Sequence, residues 1–318
     1  MRRMSDPLRD RIERYYATVP LLFADAEDFG PLRLFVRKEP GAPYYGGPSH
    51  ARPTGTAPVG ATDIARVRAR QRELGVPESF EWLAESAPAL RERIEAAGCL
   101  VLRRPLMVLP PDRPLPPQPL PGGVTLRALT PDDPALPAAL ALPRLAFAKE
   151  PLPEAHLTEE PLAPELPATE LPATRPLATE PPVTEPSPAT GSADRTELSR
   201  LTEALTADGT VATVAATIRA GHKTLVAALA PDGTPLAVGH YHPAHGTTEI
   251  GGIGTLPSAR RQGLAAAVTA ALVAHARAHG VETVFLAYAE ETVARIYARL
   301  GFRPAGTTLL IADQPARS

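Results

Sequence analysis

The sequence predicts a mixed α/β fold, and three observations carry that prediction. Between residues 210 and 255, apolar runs are separated by the tight-turn sequences PDG and AHG, so at least two of them are adjacent antiparallel strands. The meander then leads into a β-helix-β unit, in which TLPSARRQGLAAAVTAAL (255–272) joins a β-like run to an alanine-rich helix and VETVFLAYA follows as a strand. In the first half, ESFEWLAESAPALRERIEAAGCLVLRRPLMVL (78–109) reads as strand, helix, strand, with Leu90, Ile94 and Ala97 in the helix and Gly98 closing it.

The remaining elements follow in order. Thirty-nine prolines are concentrated at 108–123 and 150–191. Proline fixes φ and removes a donor, and these stretches hold few large apolar side chains, so neither packs a core. They divide the chain into an N-terminal domain at 1–110, a stiff linker at 111–123, and a second domain at 124–318 with a disordered Pro/Thr/Glu-rich insertion at about 150–194. The second domain opens on VTLRALTPDD, which alternates Val124, Leu126 and Ala128. DPALPAALALPRLAFA then predicts a short helical region broken by Pro137 and Pro143. After the insertion, TELSRLTEALTADG forms a helix with Leu198, Leu201 and Leu205 on one face. TVATVAATIRAG, HKTLVAALAPDG and TPLAVGHYHPAHG are the runs of the meander. ETVARIYARLG is a last helix closed by Gly301, and FRPAGTTLLIA a last strand.

Composition narrows the function classes. The net charge of -2, from 33 basic and 35 acidic residues, gives no overall attraction to nucleic acid or an anionic membrane. The basic run RVRARQR at 66–72 is expected to be a solvated helix face. A single cysteine, Cys99, excludes an internal disulfide and suits a reducing compartment. The N-terminal residues lead into no apolar signal core and no window reaches the roughly 18 apolar residues of a membrane span, so a cytoplasmic protein is expected.

The chemistry is concentrated in RRQGLA. Arg260, Arg261, Gln262, Gly263, Leu264 and Ala265 open a helix whose first N–H groups have no intrahelical acceptor and sit at the positive end of its dipole, which makes an anion site. Gly263 and Ala265 put no bulk in the way of a pyrophosphate. A Walker loop would need Gly-Lys-Ser/Thr, which is missing. The dinucleotide fingerprint fails because Gly252-Ile-Gly254 is followed by Leu-Pro where the third glycine should fall. What is present is R-x-x-G-x-A directly after a strand, followed later by Tyr297-Ala-Arg-Leu-Gly301-Phe302.

With those two motifs in that order, the chain resembles the GNAT family of acyl-CoA-dependent N-acyltransferases over residues 124–312. The resemblance implies acetyl-CoA as co-substrate, its pantetheine against the backbone of Ile253, Gly254 and Thr255 and its pyrophosphate on Arg260 to Ala265. It also implies direct attack on the thioester by a primary amine from a small molecule or peptide. Tyr297 matches the family's general acid. Glu249 stands where some members place a general base, and a strand-end glutamate facing solvent is the alternative. Glu290 and Glu291 stand where the family often has asparagine. His240 and His242 in GHYHPAHG share one strand face, but no cysteine or paired carboxylate accompanies them or His245, so no metal is expected, and lining of the acceptor site is the better role. Residues 78–109 resemble the end of a GNAT domain and the front part of actinobacterial tandem GNAT proteins. Lacking R-x-x-G-x-A, this first copy is expected to be degenerate and to pack against the second, with a homodimer left open. A non-catalytic acyl-CoA-binding sensory module is the competing function.

Overall fold

The computed structural model describes residues 6–38, 49–53, 59–147 and 188–311. The N-terminal part contains α1 (Asp6–Thr18), β1 (Ala24–Phe29), β2 (Leu32–Arg37), β3 (Ser49–Pro53), α2 (Ala61–Glu73), β4 (Glu81–Leu83), α3 (Leu90–Ala96) and β5 (Val101–Leu109). Beyond the proline-rich segment come β6 (Thr125–Ala128), α4 (Leu136–Phe147), α5 (Pro188–Ala207), α6 (Thr210–Arg219), β7 (Thr224–Leu229), β8 (Pro235–Tyr241) and β9 (Thr247–Thr255). The chain closes with α7 (Leu264–Ala278), β10 (Thr283–Ala287), α8 (Glu291–Arg299) and β11 (Arg303–Ile311).

β1, β2 and β3 form a small antiparallel sheet, and the other eight strands form one sheet in the order β4-β11-β5-β10-β9-β8-β7-β6. Every neighbouring pair in it is antiparallel except β9–β10, whose crossover is α7. The expected turns set the meander. In PDG, Gly233 has φ +83° and Asp232 accepts from the Thr234 N–H; in AHG, His245 and Gly246 are both left-handed. In α7, Leu264, Ala267, Val268 and Leu272 are buried and Ala271 half-buried, as the apolar stripe requires.

Three expectations change. The segment at 111–123 does not separate two sheets: β5, from before it, lies between β10 and β11, and β4 extends the same sheet beyond β11. Second, the run Thr210–Arg219 is a helix rather than a strand. Val211, Val214, Ala215 and Ile218 recur at helical spacing and form its inward face, and the Asp208 carboxylate accepts from the Thr210 N–H just before it. Third, α4 is continuous through Pro143, which gives up one donor inside it, while Pro137 sits in the first turn, where no donor is needed. The expected insertion falls largely outside the described residues, but α5 already begins at Pro188.

One apolar cluster joins the meander to α4, α5 and α7. A second packs Phe80, Trp82, Leu90 and Ile94 against Leu309 and Ile311 of β11, and a third packs Ile12, Tyr15, Tyr16 and Val19 of the N-terminal segment against Leu106 and Phe285. The two halves therefore share core as well as sheet. Among the described residues no helix is long and apolar enough to cross a membrane.

Candidate functional site

The site begins where β9 leaves β10. Only Thr247, Thr248 and Glu249 pair with β10, opposite Thr283, Val284 and Phe285, whereas on its other edge β9 pairs with β8 as far as Thr255. From Ile250 onward the β10-facing edge of β9 has no strand partner among the described residues, and its backbone donors and acceptors line the opening. Glu249 is the last paired residue, at the apex of this divergence.

A β-bulge shapes the open part. The β8–β9 register shifts between Val238 and His240, opposite Gly254 and Gly251, and Gly252 takes φ +60°. A Cβ on Gly252 would lie 2.4 Å from Cε1 of the buried His240 ring, so both the conformation and the space demand glycine. Gly252→Ala is expected to destabilise the protein by roughly 1–3 kcal/mol, read as a lower urea midpoint. Gly254 is packed less tightly, against α4, where a Cβ would stand 3.2 Å from Cα of Pro143. Ile253, Gly254 and Thr255 thus run along the opening with α4 pressed against them.

The strand ends at Leu256, and a short turn leads to the open end of α7. Two left-handed residues, Arg261 at φ +64° and Gly263 at φ +77°, bring the chain into the helix. A left-handed arginine is strained, and such strain tends to persist where function needs the shape. A Cβ on Gly263 would meet nothing within 4 Å, and Arg260, Arg261, Gln262 and Gly263 are exposed, so the helix N-terminus faces solvent. Leu264 is buried and Ala265 half-buried behind it. The Arg260 guanidinium donates to the Ala146 carbonyl at 2.8 Å, which fixes the turn to the end of α4. From the other flank the buried Asp194 carboxylate accepts from the Ser258 N–H at 2.8 Å. Asp194 falls at the end of what composition assigned to the insertion, and for that reason the sequence did not reveal it.

Tyr297 lies on α8, 7% exposed, with its ring edge-on to Phe302 at 6.0 Å. Burial pushes its phenol up to about 12, so it stays protonated at neutral pH. Glu249 is engaged from the first half of the chain: the Tyr16 hydroxyl donates to its Oε1 at 3.4 Å. On the face of β8 away from α7 are His240 and His242, their rings 5.7 Å apart, with Phe23 edge-on to His242. Burial first, and the nearby Lys223 second, hold both imidazoles well below their usual range, so they are neutral at pH 7. His242 Nδ1 bonds the His222 carbonyl at 2.7 Å. Lys223 is itself buried, and burial reinforced by the Arg37 charge brings its amine down to about 7. The basic run on α2 is committed internally: Arg70 makes two 2.9 Å bonds to Glu27, and Arg68 and Arg72 both pair with Glu78.

The family model described as "Acetyltransferase (GNAT) family" matches residues 195–302. Over this span the chain matches the GNAT family's pattern. The match runs from α5 to the Gly301-Phe302 turn and includes β8, β9, α7, β10 and α8, but not α1, β5 or α4. A solved structure, the GCN5-related N-acetyltransferase from Kribbella flavida, superposes on 97% of this chain and 96% of its own with 21% identity and a TM-score of 0.64. The GNAT fold thus extends over both halves. Looser superpositions include a GCN5-related N-acetyltransferase from Sphaerobacter thermophilus (16% identity, 95% and 84% covered, TM-score 0.49) and a tandem GNAT protein from the clavulanic acid biosynthesis pathway (16%, 90% and 79%, 0.46). None of the curated proteins matches the chain.

Proposed function

We propose that the chain is an N-acetyltransferase that moves the acetyl group of acetyl-CoA to a primary amine of a small-molecule or peptide acceptor by direct attack. One observation carries this: β9 leaves β10 after three residue pairs and, past the short turn Pro257–Ala259, leads to the exposed N-terminus of α7. An extended thioester arm and a pyrophosphate need those two surfaces end to end. The backbone of Ile253, Gly254 and Thr255 suits the amide-rich arm, and the N–H groups over Arg261 to Ala265 suit the phosphates, with Arg260 bracing the turn from behind.

The chemistry then divides between two side chains. An alkylamine of pKa near 10 is mostly ammonium at neutral pH and must lose a proton before it attacks. Glu249, at the apex, is positioned to take that proton directly or through water. The departing thiolate needs a proton, and Tyr297, kept protonated by burial, would supply it. The N-terminal half would be a degenerate first copy covering the acceptor side, and the chain would work in the cytoplasm, where one unpaired cysteine is stable.

Thiol release from acetyl-CoA with a panel of primary amines tests this. Tyr297→Phe is expected to lower kcat on the order of 100-fold while calorimetry shows unchanged CoA affinity. Full turnover in that variant would remove the acid role. For Glu249→Gln the deficit should be large at pH 7 and shrink as the pH nears the amine's own pKa, since the base is then no longer needed. CoA binding with no thiol release from any amine would favour a sensory module instead.

A further inference from the structure

Taking Glu249 as the base, as proposed above, we infer that Tyr16 is a positioning residue for its carboxylate, so that the N-terminal half completes the acid–base site of the second half. Tyr16 and Glu249 are 233 residues apart, and the bond between them crosses the seam between the halves. Tyr16 is 4% exposed, and its ring stands edge-on to Phe285 at 5.7 Å. Phe285 is the residue opposite Glu249 in the parallel register, so the tyrosine is anchored on the strand pair whose divergence opens the site. Its hydroxyl also lies 3.2 Å from Thr308 Oγ1 on β11, which fixes the oxygen from a second direction. On the same helix Tyr15 stacks edge-on against Phe285, and Arg11 donates to Thr283 Oγ1, so α1 is tied along β10 and cannot rotate the hydroxyl away.

A phenol that donates to a carboxylate favours its ionised form and fixes the direction of its remaining lone pairs. The contact thus orients the Glu249 carboxylate at the apex and favours its ionised form relative to the same side chain without it. Tyr15 and Tyr16 on α1 stand near it, and the Tyr15 phenol is held protonated first by burial, then by the Glu249 charge and last by Glu81 on β4. Among the described residues, His240 and His242 stand on the neighbouring strand β8, with Lys223 close to both.

The test uses the full chain with 13C-labelled glutamate, the Glu249 carboxyl resonance being assigned by its loss in Glu249→Gln. In Tyr16→Phe, which keeps the ring and its packing, the Glu249 midpoint is expected to rise by roughly half to one pH unit. The acid limb of kcat/KM should move the same way with any amine that turns over. An unmoved midpoint overturns the inference. A second readout needs no Tyr16 variant: the Tyr16 Cζ resonance of the wild type should follow the Glu249 midpoint and go flat in Glu249→Gln, and a Cζ resonance that ignores that midpoint overturns it equally. Full turnover in Glu249→Gln would sink the base role while leaving the contact standing, so the two failures are told apart.

Discussion

A fragment beginning at Val124 is expected to fold poorly and to bind no CoA, although it holds both GNAT motifs and the whole span matched by the family model. The missing piece is β5. It pairs with β10 from Val284↔Leu109 to Ala287↔Leu106 and with β11 from Arg303↔Val108 to Ile311↔Val101. Without it, β10 and β11 lose their common neighbour and β10 becomes a bare edge beside the site. Leu106, Met107 and Leu109 are each buried to within a few per cent of fully, and the side chains around them would be uncovered, at about 1.5–3 kcal/mol each. Loss of α1 adds Ile12, Tyr15 and Tyr16, so the sum rivals the roughly 5–15 kcal/mol that holds a typical domain. Circular dichroism on heating and CoA calorimetry check the fragment; co-expression with residues 1–123 as a separate chain should restore both signals. A fragment that melts cooperatively near the full chain and binds CoA alone would show that β5 is dispensable.

That dependence explains what could and could not be read from the sequence. Turn chemistry at PDG and AHG, the stripe of α7 and the R-x-x-G-x-A junction are written in residues a few positions apart, and all three lie in the structure as the pattern requires. The partner of a strand is not written locally. Val101–Leu109 reads the same whether it edges its own sheet or fills a gap between β10 and β11, and the proline-rich stretch after it suggested a boundary that the hydrogen bonding crosses. Thr210–Arg219 failed differently: its β-branched residues suggest a strand, whereas Val211, Val214, Ala215 and Ile218 recur at the spacing of a helix.

The site divides along the same line. The open helix start at Arg260, Gly263 and Ala265 was legible because a strand-to-helix turn is written in adjacent residues. The engagement of Glu249 by Tyr16 was not, because it joins positions at opposite ends of the chain. The bulge left a trace, the glycine-dense IGGIG of β9, yet only the register shows that Gly252 makes room for His240. Lys223 carried no signal at all: in GHKTL it reads as an ordinary lysine before a strand, and its burial is decided in the folded chain, with Arg37 of β2 close enough to add to it.

Lys223 should make stability depend on pH in an unusual direction. Its amine titrates at about 7 in the folded protein and near 10.4 when unfolded. Between those values the unfolded chain holds a proton that the folded chain lacks, so stability rises with pH at up to about 1.4 kcal/mol per unit. Below about pH 7 both states are protonated, and the full cost of the buried charge weighs on the fold. Lys223→Met keeps a similar volume and removes the titration. The Met variant is therefore expected to exceed the wild type most at pH 7, and the gap in urea-derived ΔG to narrow by roughly 3 kcal/mol by pH 9.5. Cys99, whose thiol burial pushes up, also titrates toward that range, but it does so in both proteins and cancels in the difference. His240 and His242 are already neutral there and contribute nothing. A gap that stays constant from pH 7 to 9.5 would mean that the amine keeps its proton in the folded state.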